Sequence, residues 1–325
     1  MRKRTSALCF ACLFGMSFGQ SQSVLGADDG GRCSLWIDVC RGEPLSYDAV
    51  LDDLASVGVV YLGEYHTLER HHNLQTQILA DLAKRGKPLV LGMEQLESIG
   101  QPAVDRYNRG EINFDELAKA VHWPRRWPNY KQYQPIVEAA RKFKIPVVAL
   151  NARAEIIHQV ALGGGVDRLD QKARAELPND IHLDDPAYKK LLGLNMMVHM
   201  AANPESLRPM MEAQIARDET MAATLCSFLK SDAGRGRSAI VICGAGHVIH
   251  GLGTPDRVRR RLPQITERIV LFSESGDQVL SPQELKAARA IAVSHEELRQ
   301  IHRPIADYLQ VTSLKQEKPQ PAKSQ

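Results

Sequence analysis

Four short apolar runs in this chain each break off into a cluster of polar, chemically capable residues, and this pattern restricts the fold more than any other feature. Val59-Val60-Tyr61-Leu62 runs into Gly63-Glu64-Tyr65-His66, and Leu89-Val90-Leu91-Gly92-Met93 into Glu94. Val147-Val148-Ala149-Leu150 runs into Asn151 and Arg153, and Ala239-Ile240-Val241-Ile242-Cys243 into Gly244-Ala245-Gly246-His247. Short apolar runs that alternate with helical patterns read as buried parallel strands. In open sheets of that kind ligands bind just outside the carboxyl ends of the strands. The expected fold is therefore α/β, a mainly parallel sheet flanked by helices, with the four clusters sharing one cleft.

The segments between the strands fill in this plan. Residues 28–45 read as irregular, followed by a helix over 46–55. Leu74, Ile78 and Leu82 recur at helical spacing within a helix expected over 68–85, which Gly86-Lys87-Pro88 stops. Further helices are expected over 101–109, 115–121 and 133–143, then over 256–262, before a fifth strand at 269–272. Between the third and fourth strands lie roughly ninety residues with helical patterning, too many for a loop, so a large helical insertion is expected over about 153–237. Six methionines fall there: Met196, Met197, Met200, Met210, Met211 and Met221. They either fill a core or line a pocket for a large apolar ligand. The 313–325 tail, rich in Pro, Gln and Lys, is expected to be disordered, which leaves a single α/β domain over 46–312.

The first residues carry a different signal. Met1-Arg2-Lys3-Arg4 followed by an apolar stretch from Ala7 to Phe18 reads as a secretory signal within 1–27, with Gly19, Gly26 and Ala27 all acceptable at the cut. Its loss lowers the basic residues from 41 to 38, against 38 acidic ones, so the mature chain is nominally neutral. Without a basic stripe it lacks the electrostatic footprint of a nucleic-acid-binding protein. Export also makes a Cys33–Cys40 disulfide possible, whereas Cys226 and Cys243 read as small buried hydrophobes.

Gly63-Glu64-Tyr65-His66 and Gly244-Ala245-Gly246-His247 share the spacing Gly-x-x-His directly after a strand. The glycine permits a sharp turn, and the histidine three residues on can face the cleft. With Glu64 and Glu94 these histidines can hold a metal or perform acid–base chemistry, or merely cap helices. His71 and His72, further along the same helix, read as a solvated face. Gly244-Ala245-Gly246 is no dinucleotide fingerprint, because Ile249 stands where the third glycine belongs. No Gly-x-Ser-x-Gly elbow is present. The stretch from Trp123 to Tyr133 concentrates aromatics with Arg125 and Arg126. Its rings can stack on a flat ligand or plug the helices beneath, its arginines can pair with carboxylates, and Tyr130, Tyr133 or the nearby Tyr65 can ligate ferric iron.

These residues resemble the ChaN-like haem-binding family of the Tiki and erythromycin-esterase-like superfamily. The resemblance rests on Leu62-Gly63-Glu64-Tyr65-His66, Met93-Glu94, Trp127-Pro128-x-Tyr130-x-x-Tyr133-x-Pro135 and Asn151-Ala152-Arg153, together with the run from Gln214 to Ala222 and Gly244-x-Gly246-His247. It implies non-covalent haem binding in the bacterial envelope for haem or iron acquisition. Two subunits would hold tyrosine-ligated haems face to face, and an envelope haem-uptake receptor would be a partner. On that reading the haem-binding residues are Tyr65, Tyr130, Tyr133, Arg126, Asn151, Arg153 and Arg217. The family's lipid anchor has no convincing lipobox here, so periplasmic or outer-membrane-associated export is expected without it. The absence of Cys-x-x-Cys-His agrees with non-covalent attachment. The wider superfamily also implies an alternative, a divalent-metal-dependent hydrolase of peptidase or esterase type. In it His66, His247 and Glu94 would hold the metal, with Glu64 or Glu94 activating water and Arg217 or Asn151 stabilising the oxyanion.

Overall fold

A computed structural model describes residues 34–199, 204–273 and 302–312, without the side chains of 194–199 and 204–206. The expected signal segment, Cys33 and hence its pairing with Cys40, Met200, the side chains of Met196 and Met197, and the 313–325 tail all lie outside the described residues.

The described residues begin with strands β1 (Ser34–Asp38) and β2 (Glu43–Leu45), where the sequence reads as irregular. Both are short, β1 with only Leu35-Trp36-Ile37 as an apolar run and β2 opening on Glu43-Pro44, and they belong to an antiparallel margin of the sheet. Helix α1 (Tyr47–Ser56) follows, capped by the Ser46 side chain, which accepts from the Ala49 amide. Then come β3 (Val59–Glu64), α2 (Glu69–Lys84) and β4 (Leu89–Glu97). Helices α3 (Gln101–Asn108), α4 (Phe114–Ala120), α5 (Trp123–Arg126) and α6 (Gln134–Lys142) lead to β5 (Val147–Asn151). The segment before the next strand is helical: α7 (Ala154–Gly163), α8 (Gln171–Arg174), α9 (Pro186–His199) and α10 (Pro204–Lys230). The described chain closes with β6 (Ser238–Gly244), α11 (Thr254–Arg261), β7 (Glu267–Phe272) and β8 (Tyr308–Thr312).

The sheet runs in the order β2-β1-β8-β7-β3-β6-β4-β5. The pairings from β8 through β5 are parallel, and those of β1 with β8 and β2 are antiparallel. Alternate residues of the central strands serve opposite layers, as a two-residue period requires. Val60, Leu62, Leu91 and Met93 pack with α1, α2, α3, α4 and α6. Val59, Tyr61, Val90 and Val241 pack with Met221 and Leu225 of α10 and Val258 of α11. Met221 therefore fills the core, and Met211 packs in a smaller cluster with Tyr188 and Leu252.

At its outer margin β5 is met by side chains instead of a strand. The Asn108 amide donates to the Val147 carbonyl and accepts from its N–H, both at 2.9 Å, and Gln101 accepts from the Ala149 N–H at 2.7 Å. The backbone groups left over by the sheet edge are thus answered from α3.

Candidate functional site

Beyond the carboxyl ends of β3, β4, β5 and β6 lies a half-open cavity of about 380 Å³. His66, Glu94, Asn151 and His247, one from the end of each apolar run, line it together with Glu97, Arg126, Trp127, Gln214 and Arg217. The turn after β6 brings the backbone close. A Cβ added at Gly244 would lie 2.7 Å from His66 Nε2, so the imidazole occupies space that only glycine leaves.

Glu64 sits beneath the cavity, buried and saturated. One carboxylate oxygen accepts from His66 Nδ1 at 2.8 Å, Gln95 at 2.9 Å and the Tyr133 hydroxyl at 2.5 Å, and the other accepts from Gln75 at 2.7 Å. His72 Nε2 lies 3.4 Å from that second oxygen. Burial alone would push this carboxyl up, but the bonds from His66 and His72 outweigh it and hold the group down to about 2. For His66, burial works against the charge, and the Glu64 bond with the nearby Glu94 overcomes it, raising the imidazole. Its ring edge meets Trp127 at a centroid separation of 4.8 Å, and Asn129 donates to its carbonyl oxygen.

His247 is held on both sides. Nδ1 lies 2.8 Å from Asp218 and Nε2 3.2 Å from Glu94. Desolvation would lower this buried imidazole, but the two carboxylates prevail and push it up to about 10. Glu94 also accepts from the Gly244 N–H at 2.7 Å. Burial would raise its carboxyl, but His247 and His66 hold it well below the usual range. Asp218 in turn accepts from Thr254 at 2.8 Å and from Tyr188 at 2.6 Å, so the helical segment and α11 both brace the imidazole. Gln214, Arg217 and Asp218 stand at i, i+3 and i+4 on α10 and share one face. That spacing is the sequence signal by which Asp218, absent from the candidates named above, is recognisable.

The remaining candidates divide. Arg126 lines the cavity but is tied to Glu97 at 3.3 Å and to Glu155. Arg153 pairs with Glu176 at 2.7 Å and does not line it. Tyr133 is buried and donates to Glu64, and both burial and that carboxylate push its phenol far up. Tyr130 is half-buried and stacks on Phe114 at 6.0 Å, and Tyr65 is half-buried beside cavity-lining His66. Within the aromatic stretch, Trp123 plugs the helical layer and Trp127 borders the cavity.

One expectation needs correction. His71 and His72 are buried rather than solvated, because the first turn of α2 tucks under the end of β3. His71 Nδ1 accepts the Tyr65 N–H at 3.0 Å and its Nε2 faces the Ser273 carbonyl at 3.1 Å, a neutral ring that burial lowers to about 4. The divalent-metal centre expected at His66, His247 and Glu94 gains no support. Among the described residues no group of three or more His, Cys, Asp or Glu side chains is disposed to hold a metal ion. The ring nitrogens face carboxylates instead, His247 between Asp218 and Glu94, and His66 against Glu64 with its Nε2 4.0 Å from Glu94.

Comparison with known proteins agrees with this architecture. ChaN of Campylobacter jejuni, solved with cofacially bound haem, superposes with a TM-score of 0.63 at 19% identity, covering 86% of this chain and 96% of that one. A mutant of the erythromycin esterase EreC in its open conformation gives a TM-score of 0.46 at 10% identity, covering 89% and 100%. No curated protein matches the chain. The model of the family described as "Haem-binding uptake, Tiki superfamily, ChaN" matches residues 50–258, a span that contains every cavity residue named above, and the chain belongs to that family.

Proposed function

We propose that this protein binds haem non-covalently and serves haem or iron acquisition after export to the bacterial envelope. The family match over residues 50–258 carries the reading. The residues present fit the group in kind. Of the eight tyrosines, Tyr61, Tyr107, Tyr133, Tyr188 and Tyr308 are buried. Tyr65 and Tyr130 are half-buried and are the phenols suited to meet ferric iron. Trp127 offers a ring face, and Arg126 and Arg217 offer charge to carboxylates. When bound, haem supplies the ferric centre, and this chain supplies the phenol and the cationic wall. By analogy with the cofacial haems of the Campylobacter protein, two copies would pair on haem, and an envelope receptor would take part in its delivery.

A ferric haem titration of the mature protein, followed by absorbance and by the mass of the complex, tests this. Saturation at a whole-number ratio is expected, with Tyr65→Phe or Tyr130→Phe abolishing the tyrosinate-type spectrum. Weak, unsaturable binding would end the haem reading.

A second reading is favoured by the His–carboxylate chain itself: a hydrolase in which Glu94 and His247 move a proton at the cavity and Arg217 or Asn151 meets developing negative charge. On this reading Glu64, whose oxygens are already engaged by His66, Gln75, Gln95 and Tyr133, would hold His66 rather than activate water. Ester and peptide hydrolysis lost in His247→Ala would support it, and no turnover by wild-type protein across those substrates would remove it.

A further inference from the structure

Most polar side chains of the cavity are answered by the protein, and two are not. Glu94 is held by His247 and Gly244, Arg126 by Glu97 and Glu155, and Gln214 lies 3.0 Å from His247. Arg217, half-buried on α10, makes no ion pair or hydrogen bond with the described residues. Asn151, at the end of β5 and only 4% exposed, makes no side-chain hydrogen bond with them either, and its Oδ1 is buried without a partner. A buried amide left unmatched is costly unless something completes it, and a half-buried guanidinium without a carboxylate is an anion receptor.

Both groups line one cavity, and its size selects the ligand group. About 380 Å³, half-open, admits a compact polar group and does not enclose a large planar one. Its charge selects further. Glu94 and Glu97 are already paired with His247 and Arg126, so among the described residues Arg217 is the cation of the lining left to be balanced, and it matches a single negative charge on the entering group. A planar monoanion matches the guanidinium in two parallel hydrogen bonds, and Asn151 Nδ2 can donate to it, while the buried Oδ1, an acceptor, calls for a donor on the rest of the entering molecule or on a water.

We propose that Arg217 and Asn151 form a carboxylate-receiving subsite in the cavity, taking a monocarboxylate that is either a haem propionate or the acid group of a separate small molecule. The propionate form rests on the haem reading above, whereas the subsite does not.

The experiment compares haem with its dimethyl ester, in which both propionates are blocked, on wild-type protein, Arg217→Gln and Arg217→Lys. A parallel titration with sodium propionate is read through the fluorescence of Trp127, whose ring touches His66, with Trp127→Phe as the control. If the carboxylate is the haem's own, esterification weakens wild-type binding roughly 10- to 100-fold. Arg217→Gln then binds haem and ester alike, and Arg217→Lys keeps most of the difference. If haem and ester bind equally, or haem does not bind at all, the propionate titration decides: a saturable response lost in Arg217→Gln supports a separate small acid. Absence of any haem binding ends the haem reading and leaves the subsite to that titration. No effect of esterification together with no propionate response overturns the subsite, as does a phosphate response equal to that of propionate.

Discussion

Asp218 and Glu219 are neighbours on α10, both fully buried, and they face opposite tasks. Glu219 is gripped by Arg260 at 2.7 and 2.9 Å and by Arg261 at 2.7 Å, with Arg257 at 3.5 Å, and it accepts the His182 amide at 3.0 Å. Arg257 also lies 4.8 Å over the Tyr188 ring, so this knot ties α9, α10 and α11 together away from the cavity. Asp218 meets only neutral hydroxyls and one imidazole, and that imidazole borders the cavity. One carboxylate joins the helices, and the next sets the charge of a site. The contrast shows that burial and charge alone do not mark a functional group; what it touches, and whether that touches open space, does.

The largest expected effect is on the knot. Glu219→Gln leaves buried Arg257 with only Asp185 at 3.6 Å and Arg260 and Arg261 with only Asp180, and should cost about 3 kcal/mol of stability, read by denaturant unfolding, with ligand binding of the folded fraction unchanged. A loss below about 1 kcal/mol would break the comparison from that side. Asp218→Asn should cost less, about 2 kcal/mol, because one charge-assisted bond is weakened while the hydroxyl partners remain.

The two substitutions should also separate by pH. His247 is raised in the folded protein, so its contribution is complete below the ordinary imidazole value near 6.5 and is lost as pH rises through about 10. Glu64 is depressed, so its contribution is complete above about 4.5 and is lost as pH falls toward 2. Asp218→Asn should therefore bring the alkaline loss to lower pH and leave the acid limb unchanged; thermal midpoints across pH 4–10 that run parallel to wild type would refute this.

Gly244→Ala should cost about 1–2 kcal/mol by pressing on His66, and it should move Trp127 emission, whereas an unchanged spectrum would mean the ring gives way freely. The smallest effect on folding belongs to Arg217→Gln, within about 0.5 kcal/mol, since Arg217 bonds to none of the described residues.

The central fold was legible because buried parallel strands are written as continuous apolar runs and their helices carry clear stops at Gly86 and Pro88. The same cause brought His66, Glu94, Asn151 and His247 to one cavity. Strand β1 was missed because its apolar run, Leu35-Trp36-Ile37, is only three residues long, and β2 and β8 because Glu43, Pro44 and Gln310 do not look like strand interiors, although Gln310 is buried. The extension of β4 past Glu94 depends on a register shift before Glu97, which no local pattern encodes. Asp218 reaches His247 across 29 residues, and His72 reaches Glu64 from the opposite layer, contacts set by packing rather than by neighbouring sequence.

The side-chain amides of Asn108 and Gln101 against β5 have a consequence for assembly. A second molecule seeking to continue the sheet at that border would find the hydrogen-bonding positions of Val147 and Ala149 already taken, and would first have to pull two amides out of place. A molecule meeting this one at that border would therefore have to join through helices and loops, which leaves the ends of the neighbouring strands, and the cavity beyond them, outside any shared sheet there.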